Sequence, residues 1–312
     1  MRVTNSSMMS RYLKDMQKNL QGMNKLNTQI NTSQNINTIS DDPFKTIKLL
    51  NLKNEIKDVE KYNSNADEVM GWIDVTDEAL DRVGNLTIDI KTLLTSIQGT
   101  FGPDEIKAVQ TEINEKMKQI GEAMNSTYAG EYVFGGSITD EAPIKMETDP
   151  DTGMVKLSIK NEGDARLDES LIVEISDGIS LSHNLTINQI TKTAGTQTGS
   201  KTGLELLNSI TEELSKDPVD MEAIGKIQSD LDGYMSDIMN NRALVGGKSN
   251  TVSSIKDSND ENILEMKGVY SLMQDVDVAE KFIELKSAEM MYTASLQVGA
   301  KLIQPTLLDY LR

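Results

Sequence analysis

The sequence predicts a mainly α fold. It has a small β-rich insertion, and its N- and C-terminal helices pair in an antiparallel, coiled-coil-like rod. Three observations predict this. Met9, Leu13, Met16, Leu20, Met23 and Ile30, with Asn27 in the remaining place, follow steps of four and three, the spacing of a heptad seam. From Asp275 onward Val276, Ala279, Phe282, Ile283, Leu285, Met290, Tyr292, Leu296, Ile303 and Leu307 recur at helical spacing in a wider stripe. Only between residues 138 and 195 does the apolar period fall to two.

The first helix, about 30 residues long, would extend roughly 45 Å. A single apolar stripe on so long a helix needs a partner helix, and the C-terminal stripe supplies one with apolar surface to spare. Pro305 is expected to kink or interrupt the last turns. The ending "LIQPTLLDYLR" places Leu307, Leu308, Tyr310 and Leu311 at a chain end, where small and polar residues are the rule.

Between the terminal helices, "ISDDP" marks a break and a restart. Asp42 is suited to cap a helix N-terminus and Pro43 to its first turn, because proline has no N–H to leave unpaired. The new helix runs past Ile47, Leu50, Ile56, Trp72 and Leu80 toward Leu94. "QGTFGPDE" is a turn, and Ile106, Val109, Ile113, Met117, Ile120 and Met124 mark the next helix. "YAGEYVFGGSITDEAPI" interrupts the helical period. Val155, Leu157 and Ile159 alternate with polar residues as a half-buried strand, and "SLIVEISDG" is a second strand. After the polar linker "TKTAGTQTGSKTG", helical patterning returns at Leu204–Leu214 and from Met221 through Ile238 to the terminal helix. The expected organisation is a terminal helical domain (1–40 and 270–312), a helical rod domain (41–137 and 196–269) and a variable β-rich outer domain (138–195).

Composition narrows the function. The 312 residues include no cysteine and one histidine, which excludes disulfides and thiolate metal sites and argues against a zinc enzyme. The formal net charge of −18 argues against nucleic acid as a partner. Residues 1–40 are the exception, with Arg2, Arg11, Lys14, Lys18 and Lys25 against Asp15 alone, a net of +4. No stretch approaches the roughly 20 apolar residues of a membrane span, and the N-terminus has no apolar core of a Sec signal.

Candidate chemical sites fall away one by one. "DPDTG" (149–153) has the opening spacing of a calcium loop but no downstream acid to complete it, and reads as a turn. His183 has no acid or nucleophile at a recognisable spacing and reads as a surface or turn residue. "YVFGGS" lacks the glycine spacing and lysine of a phosphate loop. Met8, Met9, Met16 and Met23 lie on or beside the apolar stripe and read as adaptable packing. No catalytic residues, cofactor or metal are expected, and the chain is not expected to be an enzyme. A basic amphipathic N-terminal helix could instead lie on a membrane surface, but the acidic body would be repelled by anionic lipid, and no membrane partner is expected.

Several segments, taken in order, carry a family resemblance. They are "ISDDP" (with Ser40, Asp41, Asp42 and Pro43), "YNSNADEVMGWIDVTDEAL", "GEYVFGG", "RALVGG" (with Arg242), "DVDVAE" and the closing "LLDYLR". The chain resembles the flagellin superfamily and, within it, the hook-associated protein 3 family of the hook–filament junction. Where that family has a Ser-Thr-Gly-Lys-Arg-like stretch, this sequence reads "NTSQNINT". The resemblance implies a non-enzymatic subunit that self-assembles into the axial tube of the bacterial flagellum. The implied partners are copies of itself, hook-associated protein 1, flagellin and a flagellar export chaperone, with secretion by the flagellar type III system. It also implies that the chain ends become buried between subunits. A filament flagellin is the alternative, although flagellins commonly end in a glutamine- and leucine-rich helix.

Overall fold

The computed structural model describes residues 5–97, 102–150, 153–192, 202–216 and 219–303. It is mainly helical: α1 (Asn5–Thr32), α2 (Pro43–Ile97), α3 (Pro103–Met124), α4 (Ile187–Thr191), α5 (Gly203–Leu214), α6 (Met221–Gln274) and α7 (Val278–Ile303). Six short strands, β1 (Thr127–Tyr128), β2 (Glu131–Tyr132), β3 (Ile144–Thr148), β4 (Val155–Ile159), β5 (Ile172–Ser176) and β6 (Ile179–Ser182), stand between α3 and α4. Two compact units result. One takes the chain up to Asp58 and from Asn262 on; the other is Val59–Glu261. The divisions fall inside α2 and α6 rather than at the breaks between helices.

The helix starts follow from local chemistry. Asp42 Oδ1 accepts from the Lys45 N–H at 3.0 Å, and Pro43 opens α2. Asp104 and Glu105 sit in the first turn of α3, where the helix dipole favours negative charge, and Glu105 accepts from the Gly102 N–H at 2.6 Å. Thr202 and Glu205 form a reciprocal capping box at α5. Asp277 caps α7, accepting from Ala279 N at 2.9 Å and Glu280 N at 3.1 Å. The sequence reading ran the terminal helix from Asp275; the structure begins it at Val278, after a break closed by this cap.

The core of the second unit lies between α2, α3, α5 and α6. It is filled by Trp72, Ile73, Leu80, Leu94, Ile113, Met117, Ile120, Leu207, Leu231 and Tyr234. The β region is more elaborate than two strands. It forms three separate antiparallel hairpins, β1–β2, β3–β4 and β5–β6. In the first, Ala129 and Gly130 both take positive φ, as a two-residue hairpin loop of this twist requires.

Two-stranded hairpins are marginal alone, and here asparagine side chains, two of them buried, dock their free edges. Asn208 of α5 accepts from Leu157 N at 2.9 Å and donates to Leu157 O at 2.7 Å. Asn125 does the same for Ile144, at 2.9 Å each way. Asn259 donates to Ile175 O at 2.8 Å and accepts from the Ser176 hydroxyl at 2.9 Å. Each side chain stands in for a neighbouring strand and satisfies backbone groups that would otherwise be buried unpaired.

His183 requires a correction. It is buried, not at the surface, with its ring edge-on to Trp72 at 5.4 Å and 89°. The turn reading missed it because the histidine follows directly on a strand whose other neighbours are polar.

Candidate assembly surface

The first unit contains the terminal helix pair. α1 and α7 run antiparallel: the Tyr12 hydroxyl donates to Ser295 O at 2.9 Å, while Met23 and Leu26 face Ile283 and Ser287 across a groove of about 660 Å³. Gly299 gives the Tyr12 ring room at the close end: a Cβ there would sit 2.2 Å from the Tyr12 hydroxyl unless the ring moved.

The seam differs in phase from the sequence reading. The half-buried face of α1 is Met9, Tyr12, Met16, Asn19, Met23, Leu26 and Ile30. Met9, Met16, Met23 and Ile30 were expected on the seam. Leu13 and Leu20 were expected there too, but are 52% and 39% exposed. Tyr12, Asn19 and Leu26, one residue earlier in each heptad, take their places. The hydroxyl of Tyr12 has a carbonyl partner on α7, which a leucine could not use. On α7 the covered face includes Glu284, Leu285, Ala288, Tyr292 and Ser295. Phe282, Ile283 (70% exposed), Met290, Met291 and Leu296 lie outside it and remain exposed. Ile283 and Met291 line the open groove beside α1, while Leu13 and Leu20 on α1 and Phe282 and Met290 on α7 are apolar side chains left exposed outside it. Of the other expected residues, Ile303 ends α7 with its side chain outside the described residues. Pro305, Leu307, Leu308, Tyr310 and Leu311 lie wholly outside them, as does Asp151 of "DPDTG".

At the far end of the pair, the two helix breaks meet. Gln34 bridges Asp275 in a single antiparallel β-bridge, with Asn35 N donating to Gln274 O at 2.7 Å and Val276 N to Ser33 O at 3.2 Å. Two buried glutamines lock it: Gln29 donates to Asn35 O at 2.7 Å and Gln274 to Ile36 O at 3.0 Å. Neither was singled out from the sequence, since a lone glutamine carries no periodic signal.

The motif residues close the turn that follows. Asp41 accepts from Asn37 N at 3.2 Å, from Thr38 N at 2.9 Å, from the Thr38 hydroxyl at 3.0 Å and from Lys25 at 2.8 Å. Lys25 above all, then the Thr38 amide, holds its carboxyl well below the usual carboxylate range. Ser40 is exposed. Ile39, Phe44, Ile47 and Leu50 add further exposed apolar surface beside the turn. In the second unit, Arg242 of α6 bonds Asp77 and Asp81 of α2. Among the described residues no helix is long and apolar enough to cross a membrane, and no three acidic or histidine side chains gather as a metal-binding group.

Residues 3–139 match the family model described as the bacterial flagellin N-terminal helical region. Over most of its length the fold is similar to solved hook-associated protein structures. A structure described as a flagellar hook-associated protein from Vibrio parahaemolyticus superposes with a TM-score of 0.63 at 22% identity, covering 75% of this chain and 99% of that one. FlgL of Xanthomonas campestris gives 0.57 at 15% identity, with 70% and 99% covered. The flagellar junction protein FlgL of Legionella pneumophila gives 0.54 at 10% identity, with 73% and 99% covered. No curated protein matches the sequence.

Proposed function

We propose that this chain is a structural subunit of the bacterial flagellum. It joins the hook, through hook-associated protein 1, to the flagellin filament by self-assembly into the axial tube. The observation that carries the reading is the terminal pair: α1 and α7 cover one seam between themselves and leave Leu13, Leu20, Phe282, Ile283, Met290 and Met291 exposed. So many large apolar side chains left exposed on one helix pair suit an interaction surface. The basic side chains Arg11, Lys14 and Lys18 flank the exposed leucines of α1 and suit an acidic neighbour, which a second copy of this chain would be. The fold shared with hook-associated proteins supports the junction role. The protein acts by packing alone, with no catalytic residues, cofactor or metal. Its partners are copies of itself, hook-associated protein 1, flagellin and an export chaperone, and it leaves the cell by the flagellar type III route.

The family model matched over residues 3–139 is described as flagellin's N-terminal helical region, so a filament subunit is the second reading. One reconstitution separates the two. Purified chain is added to isolated hooks bearing hook-associated protein 1, then flagellin monomers are supplied and growth is scored by electron microscopy. Filaments that grow only after the chain has been added support the junction. Long tubes formed by the chain alone support the filament subunit, and no growth under either condition defeats both.

A further inference from the structure

The one histidine and the one tryptophan of this chain are in contact. His183 follows β6 at the base of the β5–β6 hairpin, and its N–H donates to Leu171 O at 3.1 Å. Asn184 accepts from Leu171 N at 2.9 Å and donates to Glu169 O at 3.0 Å. The Asn184 carbonyl accepts from Lys248 of α6 at 3.2 Å. Residues 169–171 and 183–184 therefore form a knot that ties the hairpin base to α2, through Trp72, and to α6, through Lys248.

Several elements pack around the imidazole and its partner Trp72. α6 presents Lys248, a cation that disfavours a second positive charge; α2 presents Glu68, which favours one. The loop presents the Leu171 carbonyl, and β1 presents Tyr128, whose ring packs on the far partner Trp72 at 6.2 Å. His183 Nδ1 and Trp72 Nε1 are both buried with no hydrogen-bond partner. A proton added to the imidazole would place a positive charge in a buried site beside Lys248, offset only in part by Glu68 and the Leu171 carbonyl.

We propose that His183 is a proton-operated release for the base of the β5–β6 hairpin. Protonation of the imidazole against Trp72 and near Lys248 loosens residues 169–171 and 183–184 from α2 and α6. The other end of the hairpin is held to α2 and α6 by groups that do not titrate: Asn65 donates to Glu174 O at 2.9 Å and Asn259 holds Ile175 and Ser176, while the Glu174 carboxylate bonds only within the hairpin turn, at Gly178 N. The release is thus confined to the base.

Burial first, then Lys248, moves the His183 pKa below its ordinary value. The neutral ring therefore stabilises the folded chain at pH above about 6.5, the unfolded value, and that contribution shrinks as pH falls below it. With one histidine and one tryptophan, both ends of the contact report separately in the wild-type protein. Proton NMR reads the imidazole resonance and fluorescence reads Trp72, while amide exchange, corrected for intrinsic pH effects, reads the backbone.

The expected result is one shared midpoint below about 6.5 in NMR and fluorescence. Exchange at 169–171 and 183–184 should rise across that step, and exchange at 174–176 should stay unchanged. Lys248→Met, which removes the competing cation, should move the midpoint upward, and His183→Phe should flatten the fluorescence step. An imidazole midpoint at or above about 6.5 overturns the proposal, as does constant exchange at 169–171 across the step. So does a fluorescence step that survives in His183→Phe. None of these readings depends on assembly, so they stand apart from the reconstitution.

Discussion

Arg242 on α6 grips Asp77 on α2 as a fork: Nε lies 2.9 Å from one carboxylate oxygen and Nη2 lies 3.1 Å from the other. Its remaining nitrogen, Nη1, reaches Asp81 one turn on, at 2.5 Å. One guanidinium therefore staples two turns of α2 to α6, a geometry a lysine ammonium cannot reproduce. The three side chains are each more than a third exposed, so water screens the pair and limits its worth. Arg242→Lys should cost about 0.5–1 kcal/mol in urea unfolding with an unchanged m-value, most of what Arg242→Ala costs. A lysine variant as stable as wild type would show that point charge, and not the fork, is what matters.

Asp41 makes the turn between α1 and α2 sensitive to acid. Its carboxyl is held below the ordinary range by Lys25 and the Thr38 amide. A depressed carboxylate stabilises the folded state above its unfolded value of about 3.9, and that contribution disappears as pH falls below it. Asp41→Asn keeps the shape but loses the charge. At pH 7 it should lower stability by roughly 0.5–1 kcal/mol, given that Lys25 is half exposed. The gap from wild type should close toward pH 2, which thermal unfolding across that range would show.

Asn208 is the sharpest test of how the hairpins are held. It is buried, and both its amide groups serve the backbone of Leu157, which is itself buried. Asn208→Ala would leave an N–H and a C=O buried without partners, at about 1–3 kcal/mol each. The expected loss is roughly 2–4 kcal/mol in chemical denaturation, allowing for partial relaxation. A loss below 1 kcal/mol would mean that water or a backbone shift satisfies Leu157 without the side chain.

The helices were legible because long helices announce themselves. The Asp42–Pro43 start, the unbroken runs of α2 and α6 and the helical pattern from Ile106 to Met124 all depend on local spacing and capping. What escaped was non-local. Leu13 and Leu20 are more apolar than Tyr12 and Asn19, so a heptad chosen by hydrophobicity selects the flank that faces away from α7. The pairing of Tyr12 with Ser295 O and Gly299 spans the whole chain, and no local period encodes it. The same holds for the asparagines that cap strand edges, for Gln29 and Gln274 at the β-bridge, and for the burial of His183 under Trp72.

The displaced seam allows assembly to be separated from folding. Leu13 and Leu20 lie off the α1–α7 contact, so replacing both with lysine, a good helix former, should leave the stability of the isolated chain within about 0.5 kcal/mol. If these leucines pack against a neighbouring subunit, the double variant forfeits the burial of two side chains, roughly 3 kcal/mol, and weakens association on the order of a hundredfold. Met16→Lys and Met23→Lys, on the covered seam, should act the other way. They should loosen α1 from α7 within one chain, seen as faster tryptic cleavage at Lys14 and Lys18 in the unassembled protein. In the hook reconstitution, a Leu13→Lys, Leu20→Lys chain that is folded but supports no filament growth would assign that face to the subunit interface. Growth at the wild-type level would remove it from the interface and leave Phe282, Ile283 and Met290 of α7 as the faces to test.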